Sequence, residues 1–253
     1  MFDLAGRRAV VTGAGGGLGT AICAALTEAG AQVTGCDIEG SEVSADEILR
    51  FDQRDPAEIA TAAAAILDGG APDILILNAG WTRAETLRTV TPEALEEELS
   101  GNFSGAARLS LHLLPAMRVR GGAIVIIASV NALSHFGNPA YAAAKASLLA
   151  WTRAIAAEEG PNAIRANAVI PASIRTNAWE ARLAKDPDIL TRLSRLYPLG
   201  RIVTPQEVTN AVLFLASPLA SGITGSTLTV DAGLMAGNLP FLDALRSVDL
   251  ETP

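Results

Sequence analysis

Tyr141 and Lys145 stand four residues apart in the stretch Tyr141-Ala-Ala-Ala-Lys145. On a helix that spacing puts both side chains on one face, about one turn apart. A free phenol titrates near pH ~10 and is a poor base at neutrality. A fixed positive charge a few ångströms away favours the phenolate and lowers that pKa. Such a pair can exchange a proton with an alcohol or a carbonyl, which is general acid–base work. A helix could carry both residues by accident, but the chain has only two tyrosines and two lysines. The coincidence therefore asks for a supporting scaffold.

That scaffold begins near the N-terminus. Arg8–Thr12 (RAVVT) is a short apolar run that reads as a strand. It opens into Thr12-Gly13-Ala-Gly-Gly-Gly17-Leu18-Gly19 and then into a helical pattern ending at Ala29, with Gly30 as its stop. Strand, glycine turn and helix together make a phosphate-binding context. Glycines let the backbone approach a pyrophosphate, and a helix N-terminus offers free N–H groups and partial positive charge. The second strand, Gln32–Cys36, ends in Asp37, 24 residues after Gly13. A carboxylate about 20 residues on accepts hydrogen bonds from the ribose hydroxyls of NAD and repels the 2′-phosphate of NADP. NAD is the expected cofactor.

Further strands are expected at 48–51, 74–77, 123–128, 165–170 and 226–230, alternating with helical patterns. Alternation of this kind means an α/β fold with one doubly wound parallel sheet, helices on both faces and sites at the carboxyl ends of strands. Asp37, Asn78, Ser129 and Pro171 all fall at such ends. Asp55-Pro56-Ala57-Glu58, Thr91-Pro92 and Thr204-Pro205-Gln206-Glu207 read as helix starts. The helix from Thr91 is expected to run to about Met117. Gly101 and Gly105 flank Asn102 within it, which points to a close approach or a distortion there. One domain is expected over 1–253, with a polar lid at about 172–200 and a tail at about 234–253.

Composition narrows the function. A net charge of −8, with arginines scattered along the chain, argues against nucleic acid as a partner. No apolar run reaches the ~18 residues of a membrane span, and Met1-Phe2-Asp3-Leu4 has none of the layout of a secretion signal. Cys23 and Cys36 read as reduced core residues, and His112 and His135 show no metal-ligand spacing, so no metal and a cytoplasmic location are expected.

At this point the chain resembles the short-chain dehydrogenase/reductase family over nearly its whole length to Gly233. The matching residues are Thr12-Gly13-x3-Gly17-x-Gly19, Asp37, Asn78-Ala79-Gly80, Asn102, Ser129 and Tyr141-x3-Lys145, then Pro171 with Ile174 and Thr176, and Val230-Asp231-x-Gly233. The resemblance implies that Tyr141 is the acid/base and that Lys145 lowers its pKa and binds the nicotinamide ribose. It implies that Ser129 hydrogen-bonds the reacting oxygen and that Asn102 supports a water linking Lys145 to solvent. It also implies a pyrophosphate turn of Gly13, Gly17, Leu18 and Gly19, and Asp52 at the adenine. Asn78, Ala79, Gly80, Pro171, Ile174 and Thr176 complete the cofactor contacts. The departures are small: Ser129 precedes Tyr141 by 12 residues where 13 is more usual, and Asp231-Ala232-Gly233 replaces a double glycine.

The function expected is an NAD-dependent oxidoreductase acting on the CH–OH of a small molecule, with a homotetramer implied by the resemblance. The segment Ser129-Val-Asn-Ala-Leu resembles that of members oxidising sugars and small cyclic alcohols, which favours a sugar or polyol. Trp81, Asn131, His135 and Trp179 are candidate substrate residues. Arg83 and Arg175 are two more, and two cations at the pocket mouth would suit an acidic sugar. Reduction of a small cyclic ketone, or a non-catalytic dinucleotide sensor, are the alternatives. A longer-branch epimerase has a different glycine spacing.

Overall fold

The computed structural model describes residues 2–83 and 85–249. Its centre is β1 (Arg8–Thr12), whose last four side chains are buried because helices cover both faces of the sheet. β1 pairs in parallel with β2 (Gln32–Asp37) on one side and β4 (Ile74–Leu77) on the other. β3 (Glu47–Arg50) extends the sheet beyond β2. β5 (Gly122–Ile127), β6 (Ile164–Pro171) and β7 (Thr227–Val230) extend it beyond β4. The order is β3-β2-β1-β4-β5-β6-β7, all parallel. The order reverses between β1 and β4, so the crevice at their carboxyl ends is the switch point where such sheets bind ligands.

Strand side chains alternate between two cores, as the period of two requires. Val11, Ile74, Ile76 and Val125 face α1 (Gly17–Glu28) and α8 (Pro205–Ala216). Val10, Leu75, Leu77, Ile124 and Ile126 face α2 (Pro56–Asp68), α4 (Gly105–Met117) and α5 (Pro139–Glu159). The remaining helices are α3 (Pro92–Leu99), the short α6 (Glu180–Lys185) and α7 (Ile189–Ser194), and α9 (Leu239–Asp249). Helix starts follow the local chemistry. Asp55 accepts from the amides of Ala57 and Glu58, and Thr204 and Glu207 close a reciprocal capping box.

The helix expected from Thr91 to about Met117 is distorted around Asn102, where its flanking glycines pointed. Ser100–Ser104 forms a π-helical turn between α3 and α4. The cause is crowding by neighbouring chain. A Cβ on Gly105 would lie 2.3 Å from the Gln53 carbonyl oxygen, and one on Gly101 would lie 3.0 Å from Trp81 Nε1. The Gln53 side chain also donates to the Gly101 carbonyl, which the widened turn exposes. The wide turn is the kind of bulge that recurs at functional sites, and Asn102 sits in it.

Gly105→Ala tests this packing by its sign. In an ordinary helix interior the change stabilises by ~1 kcal/mol. Here the new methyl meets backbone, so we expect a loss of about 1–3 kcal/mol, read as a lower urea midpoint; a stabilised variant would contradict the account.

Candidate active site

The crevice is stitched together by two side chains. Thr12 Oγ1 accepts from the amides of Asn78 and Ala79, each at 3.0 Å. The Asn78 side chain donates through Nδ2 to the carbonyls of Thr12 (2.9 Å) and Gly13 (3.1 Å). β1 and β4 therefore end in register, and a cleft of about 1030 Å³ opens above them.

One wall is the glycine turn. Gly19 packs so tightly that a Cβ would lie 1.9 Å from the Gly13 carbonyl oxygen. Gly13 has a φ of 66° and no room beside Ala79. No side chain caps the start of α1, and Gly15, Gly16, Gly17, Leu18 and Gly19 line the cleft. A helix N-terminus left this open fits a pyrophosphate. Asp37 stands 2.8 Å from the Gly15 amide and also accepts from Ile38 N–H and the Ser41 hydroxyl. Asp52 lines the same end, gripped by the Arg54 guanidinium, which holds its carboxyl below the usual range. Ile174 and Thr176 line the cleft, whereas Pro171 ends β6 behind it.

The reacting groups gather at the other end. Ser129 follows β5 in extended backbone, and Tyr141 hydrogen-bonds its hydroxyl. Ser134, the next serine along the chain, is exposed and does not line the cleft. Lys145 is 3% exposed; its Nζ donates to the Ile127 carbonyl at 3.0 Å and lies 5.6 Å from the Tyr141 ring centroid. Asn102 is fully engaged: Oδ1 accepts from Trp81 N–H, and Nδ2 donates to the Trp81 carbonyl and to Glu98. Ser129, Tyr141, Lys145 and Asn102 thus converge.

Their electrostatics differ from expectation. Burial pushes the Tyr141 phenol up to about 12; the Ser129 hydrogen bond works against that rise and the Glu98 charge adds to it. Burial pushes Lys145 down to about 8, with Glu98 opposing. The expectation was a phenol lowered by Lys145; here the phenol is raised, with desolvation as the largest cause.

The substrate candidates divide. Trp81, Asn131 and Trp179 line the cleft. Asn131 donates to the Gly137 carbonyl, and Trp179 Nε1 donates to the Ile174 carbonyl. Arg83, Arg175 and His135 do not line it. Arg83 ion-pairs with Glu97 and stacks 5.0 Å from the Trp81 ring centroid. Arg175 and His135 point to solvent. The expectation of two cations at the mouth from Arg83 and Arg175 is thus corrected: an exposed carboxylate and an aromatic face hold the first, and solvent holds the second.

Other wall residues were missed in the sequence. Arg182 on α6 stacks 4.9 Å from the Trp179 ring centroid and faces the cleft with Leu193, Leu196, Tyr197 and Leu234. Helices of six residues show too little periodicity to orient their side chains in advance. Asn138 also lines the cleft; left-handed at φ 53° and followed by Pro139, it joins the loop at Glu85 through two hydrogen bonds. An Asn before the first helical proline is a signal that could have found it.

Comparison with known proteins agrees with this geometry. A family model described as enoyl-(acyl carrier protein) reductase matches residues 13–235. An uncharacterised oxidoreductase of Schizosaccharomyces pombe is 40% identical over 238 residues, covering 92% of each chain. The chain belongs to the short-chain dehydrogenase/reductase family. A 3-oxoacyl-[acyl-carrier-protein] reductase of Escherichia coli is 36% identical, over 92% of this chain and 99% of that one. Among solved structures, an aldohexose dehydrogenase of Thermoplasma acidophilum superposes with a TM-score of 0.88 at 30% identity, over 94% and 97% of the two chains. A gluconate 5-dehydrogenase of Burkholderia cenocepacia, in complex with NADP and tartrate, gives 0.87 at 29% identity, over 93% and 98%.

A short-chain dehydrogenase/reductase is an oxidoreductase that binds a nicotinamide dinucleotide, and the open glycine turn and the Ser129–Tyr141–Lys145 group fit that ligand. Among the described residues, no three His, Cys, Asp or Glu side chains cluster to hold a metal, and no helix is long and apolar enough to cross a membrane.

The acid/base assignment predicts a pH dependence. Alcohol oxidation requires Tyr141 to lose a proton that burial favours keeping, so oxidation should speed up from about pH 7 toward 10 while carbonyl reduction slows. Tyr141→Phe should cut turnover by at least ~10²-fold with dinucleotide binding little changed. Near-normal turnover in that variant would exclude Tyr141 as the proton donor.

Proposed function

We propose that this protein is an NAD-dependent dehydrogenase that transfers hydride between nicotinamide and a secondary alcohol or hemiacetal of a sugar or polyol. The observation that carries the reading is the cleft itself, which has Asp37 at one end and Ser129 and Tyr141 at the other, with Lys145 buried one turn along the helix from Tyr141. The bound nicotinamide supplies the two-electron acceptor. Tyr141 takes the hydroxyl proton, Ser129 holds the reacting oxygen, and the Lys145 ammonium stabilises the charge that develops. Asp37 supports NAD: its carboxylate would face the 2′-phosphate of NADP, and Ala14, Gly15, Gly16 and Ile38 offer no cation to offset it. The sugar reading is supported by the aldohexose and gluconate dehydrogenases among the similar structures. The chain is further read as a cytoplasmic homotetramer of one domain per subunit. The outward face of α5, with exposed Ala143, Ala146 and Ala150, is small and apolar enough to pack against a copy of itself.

A second reading is an NADP-dependent ketoreductase, like the acyl-carrier-protein reductases among the relatives. One local feature favours it: Arg50 donates to the carbonyl of Ile38, directly after Asp37, and shares the adenosine end with Arg54. Purified enzyme assayed with NAD and NADP against aldoses, polyols, sugar acids and 3-hydroxyacyl thioesters separates the two. NAD should be preferred, Asp37→Ala should narrow the preference, and a wild-type preference for NADP with a thioester would replace the first reading by the second.

If the sugar is acidic, Arg182 is the cation positioned to meet its carboxylate. Arg182→Ala should then raise KM for a sugar acid by ~10-fold, the loss expected for one charged hydrogen bond, and leave the neutral sugar nearly unchanged. Equal effects on both would remove the acidic-sugar idea.

A further inference from the structure

Glu98 is a buried charge that the mechanism above leaves unused. It is 1% exposed, in the last turn of α3, while Glu93 and Glu96 on the same helix face solvent. Its neighbours are all donors. Oε1 accepts from Arg83 N–H at 2.8 Å, and Oε2 accepts from Asn102 Nδ2 at 2.8 Å. A carboxyl group given a donor at each oxygen and no acceptor is arranged as a carboxylate.

Asn102 carries the contact onward. A Cβ built on Gly80 would sit 2.7 Å from Asn102 Oδ1 and 3.1 Å from Lys145 Nζ. Both polar atoms therefore crowd the space that a side chain at Gly80 would fill. The path runs from Glu98 through Asn102 and past Gly80 to Lys145, Tyr141 and Ser129.

We propose that Glu98 is a positioning residue of the reaction, the buried counter-charge of Lys145, and that it sets the pH at which Tyr141 releases its proton. The proposal rests on the dehydrogenase reading for its assay but not for its geometry. The charged and titratable groups facing Glu98 are Arg83 and Glu85 from the loop after β4, and Tyr141 and Lys145 from α5. Burial pushes the Glu98 carboxyl above its ordinary value and Glu85 adds to that rise, while the Arg83 N–H and guanidinium act against it. Toward α5 the sign is single: a negative charge at Glu98 makes both the phenol and the ammonium keep their protons to higher pH. The pair is thereby held as phenol and ammonium at neutrality, the state that donates a proton to a carbonyl and that cofactor and substrate must convert for oxidation.

The test is Glu98→Gln, which removes the charge at nearly constant volume, with Glu98→Asp as the rescue. Both limbs of the pH profile of alcohol oxidation should move to lower pH in the Gln variant, by about one unit for one charge at this range. They should return most of the way in the Asp variant. Limbs left at the wild-type pH, with kcat merely scaled down at every pH, would show that Glu98 only braces the loop and would overturn the proposal. If no alcohol is turned over by the wild type, the dehydrogenase reading fails separately. The same comparison is then made on the phenolate ultraviolet absorbance of the NAD-bound protein, corrected with Tyr141→Phe. Should Glu98→Gln not fold, the reciprocal measurement decides. In protein carrying carboxyl-13C glutamate, Lys145→Met must raise the pH at which the buried carboxyl titrates, because coupling between two sites is mutual. An unmoved midpoint overturns the proposal.

Discussion

An ammonium group held away from water dominates this structure. Removing a charge from solvent costs several kcal/mol unless the protein supplies dipoles and a counter-charge. Lys145 receives the Ile127 carbonyl from the end of β5 and the field of Glu98 from α3. It also needs Gly80 to lack a side chain, since a Cβ there would press on Nζ. Three elements far apart in sequence therefore meet around one nitrogen. The same arrangement keeps Tyr141 beside Ser129, so that burial and hydrogen bonding act on the phenol together.

The two ends of the cleft use different physics. At the dinucleotide end the backbone does the recognition: glycines permit close approach, the open helix start supplies donors, and Thr12 and Asn78 lock the strand ends that position them. At the reacting end side chains act, and they stand on rigid supports: the end of β5, the first turns of α5 and the π turn. The substrate wall is built otherwise, from the short helices α6 and α7 and the segment around Tyr197. Segments of that kind change shape and composition at little cost to the sheet. One scaffold can then serve relatives named for acyl-carrier-protein substrates and structures named for sugars.

The π turn links the two ends. Gly101 and Gly105 exist where Trp81 and Gln53 press against the helix, and the widened turn brings Asn102 round to the backbone of Trp81. Glu98 one turn earlier is drawn into the same knot. A side chain at position 105 would collide with Gln53. The π turn that the glycines accommodate also carries Asn102, which sets the polar path toward Lys145.

Much of this was legible in the order of residues, because the physics involved is local. Alternating apolar runs and helical patterns imply a parallel sheet. Asp55, Thr91 and Thr204 cap helices through amides two or three residues away. The glycine turn, Asp37 and the Tyr141–Lys145 spacing depend on one strand end or one helical turn each. The flanking glycines even marked Asn102 as the site of a distortion. What the sequence could not supply was anything decided by contacts across the fold. Arg83 and Arg175 sit on loops beside the cleft, yet Glu97 and solvent, not the chain order, determine where their side chains turn. Glu98 lies in the acidic run Pro92-Glu-Ala-Leu-Glu-Glu-Glu-Leu99, which reads as a solvated helix face. Only packing against α5 and the loop after β4 buries it. The direction in which Tyr141 is shifted was decided in the same way. A charge one turn along the helix is visible in sequence, whereas desolvation is a property of everything that folds around the phenol, and here it is the largest influence on the phenol.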